Sequence, residues 1–246
     1  GQVTVASSAT DIAGNTNQGT AVSFNLDTVD PGQPVIDSWA EDTNINTDGV
    51  TYDDVLTLTV SGEPGGTPTV YLDGTTTVAS SFVDNNDGTY TVTTDPLANG
   101  LAGDLQVTIT DVAGNESVLS GPVTVEVDTA APAKPVIASV AEDTNVTDDG
   151  VTSDNTLTLT VNGESGAVLK LFQDDTEIVP VSVTDNGDNT YTVVTGVISD
   201  VNGAGLSVTL TDTAGNVSKV SDDYVVTVDT VAPGAPTVVL LNDSHN

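Results

Sequence analysis

Residues 127–137 read VDTAAPAKPVI, and nearly the same sequence motif (below, a repeated word) occurs twice more, as LDTVDPGQPVI at residues 26–36 and VDTVAPGAP at residues 228–236. The aspartates of the three copies are spaced 101 residues apart, at Asp27, Asp128 and Asp229. In each copy a β-forming run ends at Asp-Thr, two prolines stiffen the next residues, and a further β-run begins in the two copies that are followed by a whole module. We interpret this stretch as a short semi-rigid joint between repeated modules.

The repeat divides the 246 residues into two complete modules and two incomplete ends. We predict immunoglobulin-like (Ig-like) domains at residues 28–128 and 129–229. Residues 1–27 are predicted to be the last two strands, F and G, of another Ig-like domain, and residues 230–246 a linker and the first strand of a following one. We expect the sequence to be a window from a longer array, the alternative being that its ends are completed by something outside the sequence.

Between the joints, the sequence alternates as β-strands do. Residues 56–60 read LTLTV, which places two leucines and a valine on one face of a strand and threonines on the other. The words DNNDG at residues 84–88 and DNGDN at residues 185–189 predict hairpin turns. About seven such strands per module, with no helical period, predict an all-β fold of tandem Ig-like β-sandwiches in an elongated array. The Cys-Trp-Cys signature of antibody domains is absent.

The chain is strongly acidic, with 36 Asp and Glu against three lysines and a formal charge of −33. All three lysines lie in the second complete module, at positions Lys134, Lys170 and Lys219. This charge opposes binding to nucleic acid or to anionic lipid, and we expect no membrane insertion of this segment. Because the chain has no cysteine, disulfides and thiolate metal sites are excluded.

The acids concentrate in loops that we expect to flank the joints. With strands lettered A to G, the A–B loop lies beside the outgoing joint and the F–G turn beside the incoming one. That turn carries a second repeated word, Asp-x-Ala-Gly-Asn, at residues 11–15, 111–115 and 212–216. The predicted metal ligands are Asp27, Asp111, Asn115, Glu41, Asp42, Asp53, Asp54, Asp128, Asp212, Asn216, Glu142, Asp143, Asp154 and Asp229.

Gathered carboxylates repel one another unless a cation neutralises them, and the first complete module has no lysine or arginine. Ca²⁺ takes about six to eight oxygen ligands from Asp, Glu, Asn and backbone carbonyls, so we predict that Ca²⁺ holds each joint. The lack of cysteine and the single histidine argue against zinc or copper. Two other interpretations stay open: the Asp-x-Ala-Gly-Asn word is only a tight strand connection, and the joint aspartates are only solvated. The hairpin aspartates are predicted as turn formers rather than ligands: Asp84, Asp87, Asp185 and Asp188.

Together with the acidic Glu-Asp-Thr-Asn words at residues 41–44 and 142–145, the joint and turn words resemble the bacterial Ig-like repeats of giant surface adhesins exported by type I secretion, including biofilm-associated and RTX-type adhesins. The resemblance covers the whole chain. It implies a long extender between a cell-anchored end and a distal ligand-binding end, stiffened by Ca²⁺ between modules and located outside the cell on the bacterial surface. It assigns the joints to Asp27, Asp128, Asp229, Asp11, Asp111 and Asp212 with their loop partners. The glycine-rich calcium nonapeptides and the retention module of that family are absent from this sequence.

We therefore expect a structural function, that of a calcium-stiffened spacer in cell adhesion and biofilm formation. Its partners would be the neighbouring repeats, and its distal ligand is unknown. One alternative is a self-associating matrix or sheath filament with lateral contacts, and another is a glycan-binding module, although only 4% of residues are aromatic. Enzyme activity is not expected, because acid pairs such as Asp53-Asp54 are adjacent rather than placed across a cleft, and no nucleophile has a histidine base.

Overall fold

The computed structural model describes residues 1–45, 47–141, 144, 146 and 149–238, with the side chains of residues 79 and 80 excepted. The chain divides into two compact units, Gly1–Ala130 and Ala131–Asn246. The described residues form strands, turns and bends without an α-helix. Among them, accordingly, no helix is long and apolar enough to cross a membrane. The predicted all-β class is confirmed.

The first 27 residues form two short antiparallel ladders. Strand β1 (Gln2–Val5) has its partner in β4 (Val22–Asn25), while β2 (Ser8–Thr10) pairs with β3 (Thr16–Gln18). The turn between β2 and β3 is the first Asp-x-Ala-Gly-Asn word. The two strands predicted around that turn are each divided in two, as β1 and β2 before it and β3 and β4 after it.

The first complete sandwich contains nine strands. They are β5 (Val35–Trp39), β6 (Val50–Thr51), β7 (Thr57–Ser61), β8 (Thr67–Leu72), β9 (Thr76–Thr77), β10 (Ala79–Asp84), β11 (Thr89–Thr94), β12 (Leu101–Thr110) and β13 (Val123–Val127). One sheet has the order β10-β11-β7-β5 and the other β6-β13-β12-β8-β9. In letters, these are D-E-B-A and A′-G-F-C-C′, which is the strand distribution of an Ig-like sandwich.

The second complete sandwich repeats this plan with nine more strands. They are β14 (Val136–Val140), β15 (Val151–Thr152), β16 (Thr158–Asn162), β17 (Val168–Gln173), β18 (Thr176–Ile178), β19 (Ser182–Asp185), β20 (Thr190–Val194), β21 (Val201–Thr211) and β22 (Tyr224–Val228). Its sheets have the orders β14-β16-β20-β19 and β15-β22-β21-β17-β18. The order of strands along the chain and within each sheet is thus the same in both sandwiches.

Each sandwich is closed by its own hydrophobic core, to which the alternating strands contribute one face. In β7, Leu58 and Val60 are fully buried, whereas the threonines beside them are half-buried, so the predicted two-residue period is confirmed. Tyr90 is fully buried beneath the B–C loop. Its hydroxyl accepts a hydrogen bond from the backbone N–H of Gly66 (2.9 Å) and donates one to the carbonyl of Glu63. Burial raises the pKa of this phenol above its ordinary value.

The structure has two more strands per sandwich than the roughly seven predicted, A′ and C′, and A′ explains how the acidic A–B loop is placed. Strand A (β5) belongs to one sheet, while the two-residue A′ strand (β6) pairs in parallel with G (β13) of the other. The loop between them therefore carries the chain from one sheet to the other. A strand of two residues shows no alternation, so the sequence pattern could not reveal it.

Candidate metal sites at the domain ends

The F–G turn of the first sandwich is organised by the carboxylate of Asp111. Oδ1 of Asp111 accepts the backbone N–H groups of Ala113 (2.8 Å) and Asn115 (2.9 Å), and Oδ2 accepts the Asn115 side-chain amide (2.8 Å). Gly114 supplies the left-handed backbone conformation, with φ of 94°. The word Asp-x-Ala-Gly-Asn is therefore a self-capping turn, as the tight-connection interpretation proposes.

The same carboxylate–amide pairing recurs in the other two copies of the turn. Asp11 Oδ2 accepts the Asn15 side-chain amide at 2.9 Å, and Asp212 Oδ2 accepts that of Asn216 at 2.9 Å. Asp111 and Asp212 are buried, at 9% and 7% exposure. These turns fix carboxylates at one end of each sandwich, which is the placement predicted for them.

Hydrogen bonding stabilises the ionised form of two of these carboxyl groups. The side-chain amide of Asn115, followed by backbone N–H groups of the turn, lowers the pKa of Asp111 below its ordinary value. The side chain and backbone of Asn15 lower the pKa of Asp11 in the same way. Both carboxyl groups therefore stay ionised to a lower pH than an ordinary aspartate does, and the ionised carboxylate is the form that binds a cation.

The joint at Asp27 reaches the F–G turn of the first sandwich. The side-chain amide of Asn115 lies 3.4 Å from the carbonyl oxygen of Asp27 and donates to it. Oδ1 of Asp27 accepts the backbone N–H of Val29 (3.2 Å). The side-chain amide of Asn115 thus donates both to the carbonyl of Asp27 and to the carboxylate of Asp111, while a shared metal ion at these residues stays a prediction.

At the opposite end, the buried hydroxyl of Thr51 ties the A–B loop together. Thr51 Oγ1 donates to the carbonyl of Glu41 and accepts the backbone N–H of Asp53 (3.0 Å), while the Thr51 carbonyl accepts the backbone N–H of Asp128 (2.8 Å). The carboxylate of Glu41 accepts the backbone N–H of Thr57 (2.6 Å). Three predicted ligands are therefore anchored around one threonine. The exposed Asp54 contributes its carbonyl to the E–F loop instead, accepting the N–H of Leu97 at 2.7 Å.

Asp42 stands apart within this loop. Its Oδ2 accepts the backbone N–H of Thr47 (2.5 Å), but its Oδ1 is buried and has no hydrogen-bond partner, the one such side-chain atom in the described part of the chain. Burying a carboxylate oxygen without a donor or cation costs free energy. An oxygen of this kind fits a cation ligand better than a turn former.

The second sandwich repeats the anchoring where the structure describes it. Asp229 donates its N–H to the carbonyl of Thr152 (3.0 Å), and Asp154 donates its N–H to the Thr152 hydroxyl (3.0 Å). Oδ1 of Asp154 accepts the N–H of Thr156 at 3.0 Å. Glu142 and Asp143 lie outside the described residues.

Sequence reasoning missed a third contributor to the outgoing end, the E–F loop. Asn99 Oδ1 accepts the N–H of Thr129 (2.7 Å), and Asp200 Oδ1 accepts both the N–H (3.1 Å) and the hydroxyl (2.6 Å) of Thr230. These side chains hold the first residue after the joint aspartate. The only sequence signal is that each stands 30 residues before the threonine it caps.

One acid of the second sandwich, Asp222, forms an ion pair. It precedes β22 and pairs with Lys134, whose Nζ lies 2.6 Å from Asp222 Oδ1. The hairpin aspartates behave as turn formers where bonds are seen. Asp84 Oδ1 accepts the N–H of Asn86 (2.8 Å), and Asp185 Oδ1 accepts that of Gly187 (2.9 Å).

The atoms at the domain ends that could bind a metal ion are oxygens. Ca²⁺ prefers oxygen ligands, whereas zinc and copper favour nitrogen and sulfur. Among the residues that the structure describes, no three Asp, Glu, His or Cys side chains are grouped to hold a metal ion. A Ca²⁺ ion at one of these ends would therefore depend on backbone carbonyl and hydroxyl oxygens for most of its ligands. In the first A–B loop the unpartnered carboxylate oxygen of Asp42 would supply the charged ligand of such an ion, so the oxygens of that loop fit Ca²⁺.

Comparison with known proteins gives one family match for each of the two complete modules. A family model described as a bacterial Ig-like domain matches residues 31–129 and again residues 131–230. The resemblance inferred from the sequence words is confirmed at this level. No curated protein matches the sequence significantly.

Solved structures share only the fold-level likeness. The BSP domain of a biofilm-associated protein is 22% identical with a TM-score of 0.29, and the match covers 82% of this chain and 30% of that one. A run of titin domains is 15% identical with a TM-score of 0.42, covering 85% and 72%. Tandem Ig repeats of Dlar are 12% identical with a TM-score of 0.25, covering 82% and 95%. TM-scores this low carry no functional inference.

Proposed function

Because the chain belongs to the family of bacterial Ig-like domains, we propose that it is a structural spacer segment of a bacterial surface adhesin, with Ca²⁺ stiffening the joints between its repeats. The partners in this function are the neighbouring repeats of the same chain. No catalytic step is proposed, since Ig-like modules serve as structural units on which function depends on added sites.

The observation that carries the proposal is the buried, unpartnered Oδ1 of Asp42 in the loop that also anchors Asp128 through Thr51. The A–B loop, the joint aspartate and the E–F cap are fixed relative to one another by hydrogen bonds at one end of the sandwich. A cation bound there would act on residues whose backbone is already held, and little of its binding free energy would be spent on ordering the loop.

Charge supports the same conclusion. The segment 28–128 has 17 acidic residues and no lysine or arginine, so no side-chain cation of its own offsets the repulsion. A bound divalent ion would reduce it. Extracellular Ca²⁺ modules bind with dissociation constants of about 10⁻⁴ to 10⁻³ M, so the joints would fill outside the cell and stay empty in a low-calcium cytosol.

The proposal is tested by calorimetric titration of the whole chain with CaCl₂. We expect saturable binding in the sub-millimolar to millimolar range, and Asp42→Asn should weaken one class of site at least about tenfold by removing a charged ligand oxygen. Asp175→Asn is the matched control, because it removes the same charge from an exposed turn in the other sandwich. Identical titrations for wild type, Asp42→Asn and Asp175→Asn would contradict the proposal.

A further inference from the structure

The sequence contains two Asp-Pro peptide bonds. Asp30-Pro31 lies in the first joint, and Asp95-Pro96 lies between strands E (β11) and F (β12) of the first sandwich. The other two joints have Ala131-Pro132 and Ala232-Pro233 at the position of the first bond. Because the joints are otherwise nearly identical, an aspartate before this proline is particular to the joint that precedes the first complete sandwich.

An aspartate side chain can cleave the peptide bond that follows it. The carboxyl group attacks the carbonyl carbon of its own residue and closes a cyclic anhydride, while its proton passes to the proline nitrogen and the C–N bond breaks. Water then adds to the anhydride and leaves one carboxyl group on the side chain and one at the new C terminus. Since proline has no N–H, the competing ring closure through the following backbone nitrogen to a succinimide is closed.

The fold leaves Asp30 free for this reaction. Asp30 is exposed, and its side chain has no hydrogen-bond or ion-pair partner in the described part of the chain. Residues 30–33 make no backbone–backbone hydrogen bond there either, so the backbone rotation that ring closure needs breaks none. Because Pro31 is buried, the carboxyl group of Asp30 is the acid best placed to protonate the proline nitrogen.

The second Asp-Pro bond is held on both sides. The N–H of Asp95 donates to the carbonyl of Val78 (2.6 Å), and the N–H of Leu97 donates to the carbonyl of Asp54 (2.7 Å). Leu97 is itself part of the core of the first sandwich. Attack on the Asp95 carbonyl takes the planar peptide bond out of its plane and would disturb these hydrogen bonds. The fold therefore protects this bond, although its chemistry is the same.

We propose that the Asp30-Pro31 bond is an acid-triggered self-cleavage site, at which the carboxyl group of Asp30 separates residues 1–30 from the two complete sandwiches. The reaction consumes one water molecule and leaves a carboxyl group on Asp30 and an amine on Pro31. It speeds up as the pH falls, because only the protonated carboxyl group carries the proton that the departing nitrogen takes. It needs no metal ion, so it does not depend on the calcium proposal.

The charged groups around the joint leave the Asp30 carboxyl group unpaired. Asp27, in the same joint, accepts a backbone N–H. On the neighbouring F–G turn, the carboxylates of Asp111 and Glu116 accept hydrogen bonds of their own. The segment 28–128 has no lysine or arginine, so it offers no cationic side chain to pair with Asp30.

The test incubates the whole chain with chelator, at the lowest pH at which circular dichroism shows both sandwiches folded, and follows the fragments by mass spectrometry. The fragment that ends at Asp30 should accumulate at least about tenfold faster than the fragment that ends at Asp95, because the fold protects only the second bond. In urea at the same pH the two rates should agree within about threefold, since local structure no longer separates the two bonds.

Two variants sharpen the test. Asp30→Ala restores the alanine of the other joints and should abolish cleavage after residue 30, while cleavage after Asp95 continues unchanged. Ala131→Asp should make the second joint cleavable, at a rate within about threefold of the first, because proximity of the carboxyl group is the same in both. Equal rates at the two native bonds in the folded chain, cleavage after residue 30 that persists in Asp30→Ala, or an intact second joint in Ala131→Asp would each overturn the proposal.

Discussion

The two complete sandwiches have the same strand order but fill one corner of the core differently. In the first, Trp39 of β5 and Val123 of β13 pack against the core, and in the second the same positions hold Val140 and Tyr224. The large side chain thus comes from strand A in one domain and from strand G in the other. A small apolar cavity lined in part by Val140 and Tyr224 remains in the second. The repeat therefore keeps one large aromatic side chain at these two positions but takes it from a different strand in each domain.

One contact between the incoming joint and the body of the sandwich, which we call the tie, is a neutral hydrogen bond in the first domain and an ion pair in the second. Before strand A, Gln33 donates its side-chain amide to the carbonyl of Leu119 (2.6 Å), and Lys134 at the equivalent position pairs with Asp222. Both link the incoming joint to the segment that follows the F–G turn. The tie itself is shared, whereas its charge is particular to the second domain.

The largest expected effect tests what the two domains share. Leu58→Ala and Leu159→Ala each empty a fully buried position, and each should destabilise its own domain by about 2–5 kcal/mol. Fluorescence of the single tryptophan, Trp39, follows unfolding of the first domain, while calorimetry resolves both. A cost confined to one domain would break the equivalence of the cores.

The next effect tests the volume exchange. Trp39→Val should cost about 1–3 kcal/mol, and adding Val123→Tyr should recover part of it, giving a coupling of about 0.5–3 kcal/mol in a double-mutant cycle measured by calorimetry. The reciprocal pair, Val140→Trp with Tyr224→Val, serves as the matched cycle in the second domain. Strict additivity in both cycles would show that the two positions do not share one space.

A smaller effect tests the charged tie. The lysine and aspartate side chains are 41% and 96% exposed, so Lys134→Gln should change the stability of the second domain by only about 0–1 kcal/mol. In the Lys134→Gln variant the stability of the second domain should depend less on salt, as in the first domain, where Gln33 is neutral. Thermal melts at low and high NaCl measure both quantities. A loss well above this range would mean that the ion pair does more than Gln33 does.

The smallest expected effect is a difference in how the E–F caps of the two domains respond to low pH. The hydroxyl and N–H of Thr230 lower the pKa of Asp200 below its ordinary value of 3.8, so the cap is intact above that value and is lost as the pH falls through the lower folded pKa. Asn99 does not titrate. Amide exchange of Thr230 should therefore accelerate on acidification more than that of Thr129, after correction for intrinsic rates. Asp200→Asn should remove the difference, and equal behaviour in the wild type would contradict it.

Local sequence patterns were sufficient to predict most of the fold. Alternation at residues 56–60, the hairpin word at residues 84–88 and the repeated joints each encode a structure within a few residues. Trp39 packs against the core of the first sandwich, as Val140 does at the equivalent position of the second.

The candidate metal site depends on residues that are distant from one another in the sequence, and such contacts are harder to predict from the sequence. Thr51 joins the A–B loop to Asp128, and Asn99 reaches Thr129 across 30 residues, neither of which has a local signal. Asp111 accepts hydrogen bonds from the backbone and the side chain of Asn115 in its own turn, whereas Asp42 keeps an unpartnered oxygen. The sequence does not specify the loop geometry that separates these two cases. The calcium ligands therefore remain a prediction.

Small-angle scattering of the whole chain in millimolar CaCl₂ and in chelator tests the central claim most directly. A calcium-stiffened spacer predicts a larger and better-defined maximum dimension with the ion, and Asp42→Asn should shift the response to higher Ca²⁺ concentration while Asp175→Asn should not. The same maximum dimension and the same flexibility in both conditions would contradict it.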